Sequence, residues 1–322
     1  MHDTKNTNTP SGWRPDRLDR LEQLARDAGA VRVAVVYPVD GPSLTGALES
    51  QKRGLIEAVL IGPEAKIRQV AADEGLSLGN TQITEADTPE AAAQMAVDLA
   101  ITGKVQGLKK GAVKTNILMH AVISEKAMRT TRRISHVFAV DVSSYQRLLF
   151  VSDAAINIRP DLGTLRDITA NAIDLAHALG IERPKVALLS ASENINEKIE
   201  STIFAAAICK MADRGTISGA DVDGPLAMDL AISPRAAEIK GIVSNVAGHA
   251  DILIVPDLVS GNILVKDLDY LANAETAGIV MGAIVPIALT SRADTVEQRC
   301  ASAALVCLVA AAKKMAEGLK NV

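Results

Sequence analysis

Residues 252–258 read Ile252-Leu253-Ile254-Val255-Pro256-Asp257-Leu258, and Gly261-Asn262 and Lys266 follow closely. An unbroken apolar run stopped by a proline predicts a buried strand ending in a turn. The polar residues behind it predict the head of the next helix. A second stretch has the same form: Pro286-Ile287-Ala288-Leu289-Thr290 runs into Ser291-Arg292. In an open α/β sheet the crevices at the carboxyl ends of such strands are where ligands bind. Helix starts carry free N–H groups and a partial positive charge, which suit an anion. Both junctions therefore point to a protein that handles phosphate.

Working outward, the chain alternates between the two periods. Residues 31–37 and 58–61 read as strands. Residues 17–27, 43–53 (opened by Ser43), 64–74 and 89–102 read as helices. That alternation is the mark of a parallel sheet covered by helices. The character changes near residue 140. Strands are expected at 138–142, 148–151 and 185–189, and helices at 167–179 and 203–213. Asp223-Gly224-Pro225 reads as a turn and 234–239 as a helix. The series closes with a strand at 252–255, a helix at 263–272, a strand at 285–289 and a helix at 295–319. The expected fold class is α/β with two domains. Residues 1–15 are expected to form a flexible arm, 16–140 plus 280–322 the first domain, and 141–279 the second.

Composition agrees with this class. The 322 residues are 48% hydrophobic but only 2% aromatic. The core must be built from Ala, Val, Ile and Leu, the usual filling of helix-covered parallel sheets. Thirty-four basic and 38 acidic residues give a net charge of −4, and with so few aromatics this is no footprint for nucleic acid. The polar start shows no secretory h-region. The apolar runs are too short or too Pro-interrupted to span a bilayer, so no membrane partner is expected and the location is read as cytoplasmic. Cys209, Cys300 and Cys307 lack metal-ligand spacing and read as buried thiols. The five histidines show no metal pattern either. No Gly-x-Gly-x-x-Gly follows the first strand, against a nicotinamide dehydrogenase, and no Gly-x-Ser-x-Gly elbow marks a serine hydrolase.

Three constellations carry chemistry. Lys109-Lys110-Gly111-Ala112-Val113-Lys114-Thr115-Asn116 places three lysines and a glycine at or just before a helix start. N–H groups, helix dipole and ammonium charge would converge there on an anion; a solvated basic turn is the equal alternative. In Gly261-Asn262…Lys266, Asn262 can cap a helix, and Lys266 four residues on shares its face. Ser291-Arg292-Ala293-Asp294 fits a capping box of Ser291 with Asp294, with Asp294 and Glu297 as an alternative register. The functional reading makes Ser291 a hydrogen-bond donor at a reacting centre and Arg292 a planar fork for phosphate.

These residues resemble the phosphate acetyltransferase/phosphate butyryltransferase family. The matching runs are Lys110-Gly111-Ala112-Val113-Lys114-Thr115, Ser152-Asp153-Ala154-Ala155-Ile156-Asn157, Asp223-Gly224-Pro225-Leu226, Pro256-Asp257-Leu258 with Gly261-Asn262 and Lys266, and Leu289-Thr290-Ser291-Arg292-Ala293-Asp294. The resemblance implies two α/β/α domains of isocitrate/isopropylmalate dehydrogenase type with the active site in the cleft between them, and a homodimer. It implies reversible acyl transfer between coenzyme A and phosphate, with acyl-CoA, phosphate and acyl phosphate as partners and no metal or other cofactor. Acetyl is the first choice of acyl group and butyryl the alternative. Ser291 and Arg292 match the family's pair at the reacting centre. Lys110, Lys114, Thr115, Gly261, Asn262 and Lys266 are the expected substrate-binding set. Acetyl-type members place an aspartate seven residues after the serine as the thiol's base; here that position is Gln298, leaving Asp294 or Glu297 as candidates. An arginine carried by acetyl-type members near His120 is also not evident. Two other classes compete: a metal-dependent decarboxylating dehydrogenase, with Asp221 and Asp223 as its carboxylates, and a non-catalytic protein that binds coenzyme A or acyl phosphate.

Overall fold

The computed structural model describes residues 16–320; the flexible arm expected at 1–15 lies outside them. In chain order the first elements are α1 (Asp16–Ala28), β1 (Val31–Val36), α2 (Gly41–Lys52), β2 (Ile56–Ile61), α3 (Glu64–Asp73), β3 (Gln82–Thr84) and α4 (Pro89–Ile101). Then come β4 (Gly107–Lys110), α5 (Thr115–Ser124), a 3-10 turn at Lys126–Met128, β5 (Ser135–Asp141), β6 (Leu149–Ser152), α6 (Leu162–Ala178), β7 (Lys185–Leu189) and α7 (Glu200–Asp213). The rest are β8 (Asp221–Leu226), α8 (Met228–Ile232), α9 (Pro234–Ile239), β9 (Ile252–Ile254), α10 (Leu258–Tyr270), β10 (Glu275–Met281), β11 (Ile287–Ala288) and α11 (Val296–Lys320).

The chain divides into two compact units. The first comprises Leu18–Arg133 and, from the last part of the chain, residues 277–320; the second is built on Ile134–Thr276. In the first unit the strand order is β3-β2-β1-β4-β11-β10. Every neighbouring pair is parallel except β10 with β11. In the second unit the order is β5-β6-β9-β7-β8, parallel apart from β5 with β6. Both are α/β sheets with helices. Their interiors are Val, Ile, Leu and Ala, such as Val35, Leu60 and Leu108 in the first and Val151, Ala187 and Leu253 in the second. Strand β1 makes the register plain: Val33 to Val36 are all buried, the continuous apolar pattern of a strand covered on both faces.

Several expectations are corrected. Asp40, not Ser43, caps α2, accepting from the Ser43 amide at 2.9 Å. Helix α6 begins at Leu162, capped by Asp161, rather than at 167. Asp223-Gly224-Pro225 lies inside β8, not in a turn. A proline is tolerated there because β8 is the last strand of its sheet, with a register irregularity against β7, and edge strands spare the N–H that proline lacks. The run at 277–289 is two antiparallel strands, β10 and β11, rather than one strand closing a βα series. The reversal between them is held by Thr130 Oγ1, which donates to Gly282 O at 2.7 Å, and by Lys313 Nζ, which donates to Ala283 O at 2.9 Å. Such long-range partners leave no local signal.

The three cysteines are free. Burial pushes the thiols of Cys209 and Cys307 up to about 12 and about 11 and also raises that of Cys300, so none is a thiolate nucleophile at neutral pH. Among the described residues no helix is long and apolar enough to cross a membrane.

Candidate active site

Strand β4 ends in the two lysines of the basic cluster, and their fates differ. Lys109 is buried at 1% exposure. Its Nζ donates to Arg299 O at 2.6 Å and to Ser50 Oγ at 3.5 Å. It therefore sits beneath α11 rather than at the head of a helix, which corrects the reading of all three lysines as one cradle. Lys110 is 6% exposed and its Nζ donates to Gly111 O at 3.2 Å. Burial lowers its pKa, and nearby Arg299 and Arg292 lower it further while Asp40 and Asp294 raise it. These four charges thus share one neighbourhood with Lys110. Lys114 is the N-cap residue of α5 and supplies no side-chain cap; it and Thr115, the first helical residue, are exposed. The head of α5 is therefore left without a side-chain cap, beside an exposed lysine.

Burial pushes the Lys109 ammonium down to about 8 from an ordinary 10.5. The folded state then holds this proton less tightly than the unfolded chain. Below pH 8 the lysine is protonated in both states and adds no slope to stability. Between about pH 8 and 10.5 the unfolded chain binds more protons, so this group makes stability rise with pH. Urea midpoints at pH 7.5 and 9.5 should rise more for the native chain than for Lys109→Met. Equal changes would mean that the ammonium is not held in a depressed state.

At the end of β11 the backbone leaves the buried Thr290 and exposes Ser291 and Arg292. The Asp294 carboxylate folds the turn, accepting from the Ser291 amide at 2.7 Å, while the Ala293 amide donates to Ser291 Oγ at 3.4 Å. Neither expected capping register opens α11. The box is Thr295 with Gln298: Gln298 N donates to Thr295 Oγ1 at 3.2 Å and Thr295 N to Gln298 Oε1 at 2.9 Å. This is the reciprocal Thr-x-x-Gln arrangement. Gln298, which stands at the position of the expected base, is 3% exposed and occupied by this cap. Glu297 lies 3.6 Å from Arg53 in an ion pair. Of the two candidate bases, Asp294 is the one within the Ser291 turn.

The sequence did not single out Arg299. Its guanidinium donates to Ser291 O at 2.8 Å, Asp294 O at 3.2 Å and Thr290 Oγ1 at 3.2 Å. One signal was available: an arginine at the start of a helix whose following residues, Cys300 to Ala310, are continuously apolar or small.

In the second unit, Asp153 organises the loop after β6. Its carboxylate accepts from the amides of Ala155, Ile156 and Asn157 at 2.9, 3.1 and 3.2 Å. Helix α10 begins at Leu258 under an Asp257 cap, which accepts from Ser260 N at 2.8 Å. Asn262 is consequently inside the helix and not its cap. The cap falls to Asp257 because it immediately precedes the first helical residue, Leu258, and its carboxylate reaches a first-turn amide. Asn262 Nδ2 instead donates to Ala154 O at 3.2 Å, tying α10 to the Asp153 loop. Gly261 permits that approach: a Cβ there would stand 2.9 Å from Asp153 O and 2.7 Å from Val255 Cγ2. Lys266 lies 3.7 Å from Asp269 and 5.4 Å from the centre of the Tyr270 ring on its own helix. A pocket of about 380 Å³ opens in this unit at the carboxyl ends of β7 and β9. Leu188, Phe204 and Val255 contribute apolar walls, and Arg159, Ser201 and Asp257 polar ones. Asp221 and Asp223 lie in β8, and among the described residues no group of three or more His, Cys, Asp or Glu side chains is placed to hold a metal ion.

The chain matches the family model described as phosphate acetyl/butaryl transferase over residues 90–307. It is 52% identical over 304 residues to the phosphate acetyltransferase of Rhizobium meliloti, covering 94% of this chain and 96% of that protein. It is 41% identical over 283 residues to the phosphate butyryltransferase of Clostridium acetobutylicum, covering 88% and 94% respectively. Among solved structures, a branched-chain phosphotransacylase from Enterococcus faecalis superposes with a TM-score of 0.76 at 29% identity, covering 87% of this chain and 99% of that one.

Proposed function

Because this chain belongs to the phosphate acetyltransferase/phosphate butyryltransferase family, we propose that it catalyses reversible transfer of a short acyl group between coenzyme A and inorganic phosphate. One observation carries the reading at the level of residues. Ser291 and Arg292 stand exposed on a turn that Asp294 folds, in the same charged neighbourhood as Lys110. The four residues match the chemistry of moving an acyl group onto or off a phosphate oxygen.

In the direction that forms acyl-CoA, the coenzyme A thiol loses its proton, and its sulfur attacks the acyl phosphate carbonyl. The carbonyl oxygen becomes an oxyanion, and the carbon–oxygen bond to phosphate then breaks. A free thiol has a pKa of about 8.5, so a base near the sulfur helps. Asp294 takes this proton in our reading, since the neutral Gln298 amide is no base and serves the α11 cap. Ser291 Oγ–H donates to the sulfur or the developing oxyanion. Arg292 and Lys110 neutralise the departing phosphate, and Lys114 and Thr115 offer it the head of α5. Asn262, Gly261 and Lys266 are assigned to coenzyme A. Aligning two substrates supplies much of the remaining rate. The reaction needs no metal or other cofactor in this scheme.

Acetyl is the proposed acyl group, supported by the relative of 52% identity. Butyryl is the second reading, favoured by the glutamine that replaces the acetyl-type aspartate. The two-domain arrangement of isocitrate/isopropylmalate dehydrogenase type, a homodimer and a cytoplasmic location also belong to the proposal, on the strength of the family resemblance.

The test is thioester formation followed by ultraviolet absorbance, with coenzyme A and acetyl, propionyl or butyryl phosphate. A signal supports the transferase and the rate order names the acyl group; folded protein that forms no thioester with any of them refutes it. Ser291→Ala is expected to lower kcat by about a hundredfold, the cost of one lost donor at a developing charge. Its unfolding midpoint should stay near that of the native chain, because Thr295 and not Ser291 caps α11. Undiminished turnover would leave Ser291 without a chemical role.

A further inference from the structure

We propose that Arg299 is a positioning residue for the reaction: from inside the fold, its guanidinium holds the turn that presents Ser291 and Arg292. The inference rests on the acyl-transfer reading above and adds a residue to it. Arg299 is 3% exposed. Its Nη2 donates to Ser291 O at 2.8 Å and reaches Arg292 O at 3.5 Å. Its Nε donates to Asp294 O at 3.2 Å, and its Nη1 to Thr290 Oγ1 at 3.2 Å. One rigid, planar group therefore gathers the Thr290 hydroxyl before the two exposed residues and the backbone carbonyls at and after them. Because the donors are coplanar and rigidly linked, the guanidinium cannot swing away from one carbonyl without disturbing its bonds to the others.

Two features separate this from ordinary stabilisation. Burying a guanidinium costs free energy, and carbonyl partners repay less of that cost than a carboxylate would. The cost agrees with the direction of the Arg299 pKa, which burial lowers while the charges of Asp294 and Asp40 raise it. A leucine or methionine would fill the same space without that cost. Secondly, Lys109 Nζ donates to the Arg299 carbonyl at 2.6 Å, so a second buried cation anchors the backbone that carries the guanidinium. Two buried cations thus lie behind a turn whose Ser291 and Arg292 side chains face solvent. A turn of exposed residues has little packing to define it. For a clamp that must meet phosphate within a fraction of an ångström, hydrogen bonds to its carbonyls supply the definition.

The consequence is specific. Loosening this turn should impair the substrate held by Arg292 and spare coenzyme A binding. Lysine cannot replace the fork, because a single ammonium reaches only some of the carbonyls. The experiment compares Arg299→Ala and Arg299→Lys with the native chain. It measures kcat, both KM values, the unfolding midpoint and hydrogen exchange over residues 290–294. We expect Arg299→Ala to lose about a hundredfold in kcat/KM for acyl phosphate, the cost of misplacing a reacting group by about 1 Å, with the KM for coenzyme A little changed. Exchange over 290–294 should accelerate, Arg299→Lys should recover only part of the activity, and millimolar guanidinium should partly rescue Arg299→Ala. Should the alanine variant not fold, Arg299→Lys carries the same kinetic and exchange tests. Native kinetic constants in a folded variant would overturn the inference. So would equal losses toward both substrates with no response to guanidinium. Native protein that forms no thioester would instead sink the acyl-transfer reading, and exchange over 290–294 would still report whether Arg299 holds the turn.

Discussion

Arg292→Ala is expected to lower kcat/KM for acyl phosphate by about two to three orders of magnitude, the range seen when a charge-stabilising donor is removed from a reacting centre. The guanidinium is the one group on the Ser291 turn able to make paired, charge-assisted bonds to phosphate oxygens. Arg292→Lys should recover only part of the loss, since an ammonium is a point charge without the fork. The side chain is exposed, so the unfolding free energy should change by no more than about 0.5 kcal/mol. Steady-state kinetics with each substrate varied separately decide the matter. A loss confined to phosphate and acyl phosphate supports the assigned role. An equal loss toward coenzyme A, or none at all, removes Arg292 from it.

The second large effect falls on stability. Gly111→Ala should destabilise the fold by about 3 kcal/mol, the upper part of the usual overpacking range. Gly111 follows β4 where that strand leaves the sheet beside β1. Its amide donates to Val36 O at 2.9 Å, and the next amide, Ala112 N, donates to Tyr37 O at 2.9 Å. A Cβ on residue 111 would stand 2.5 Å from Val36 O and 2.9 Å from both Pro38 N and Tyr37 C. All three are backbone atoms, which cannot swing aside as a side chain can. The β1 and β4 ends must part, and Lys110 moves with them. Urea titration of the variant measures the cost, and the activity of its folded fraction reports the displacement of Lys110. A midpoint equal to that of the native chain would show that the two strand ends are looser than their hydrogen bonds indicate.

Much of this architecture was legible in local pattern. The apolar runs at Val31–Val36 and Ile252–Ile254 are strands because consecutive β-branched and aliphatic residues suit a sheet covered on both faces. The helices between them follow from the change of period. The exposed Ser291-Arg292 pair at a strand end was legible for the same reason, since a buried run followed by polar residues marks where a chain emerges from a core. What local pattern misplaced were the helix caps. Ser43, Asn262 and Ser291 were expected to cap, and Asp40, Asp257 and Thr295 do so instead. Which one does so depends on where the preceding strand stops, and that is settled by pairing with strands far away in sequence.

The sequence by itself determined the alternation of elements, the aliphatic core and the identity of the exposed residues at the Ser291–Arg292 turn, because each is a property of adjacent residues. Tertiary structure alone decided that Lys109 lies under α11, that Gln298 serves a cap, and that Arg299 holds the carbonyls of Ser291 and Asp294. Burial depth and the choice of hydrogen-bond partner are set by distance in space, and the Lys109–Arg299 contact joins residues 190 positions apart in the chain.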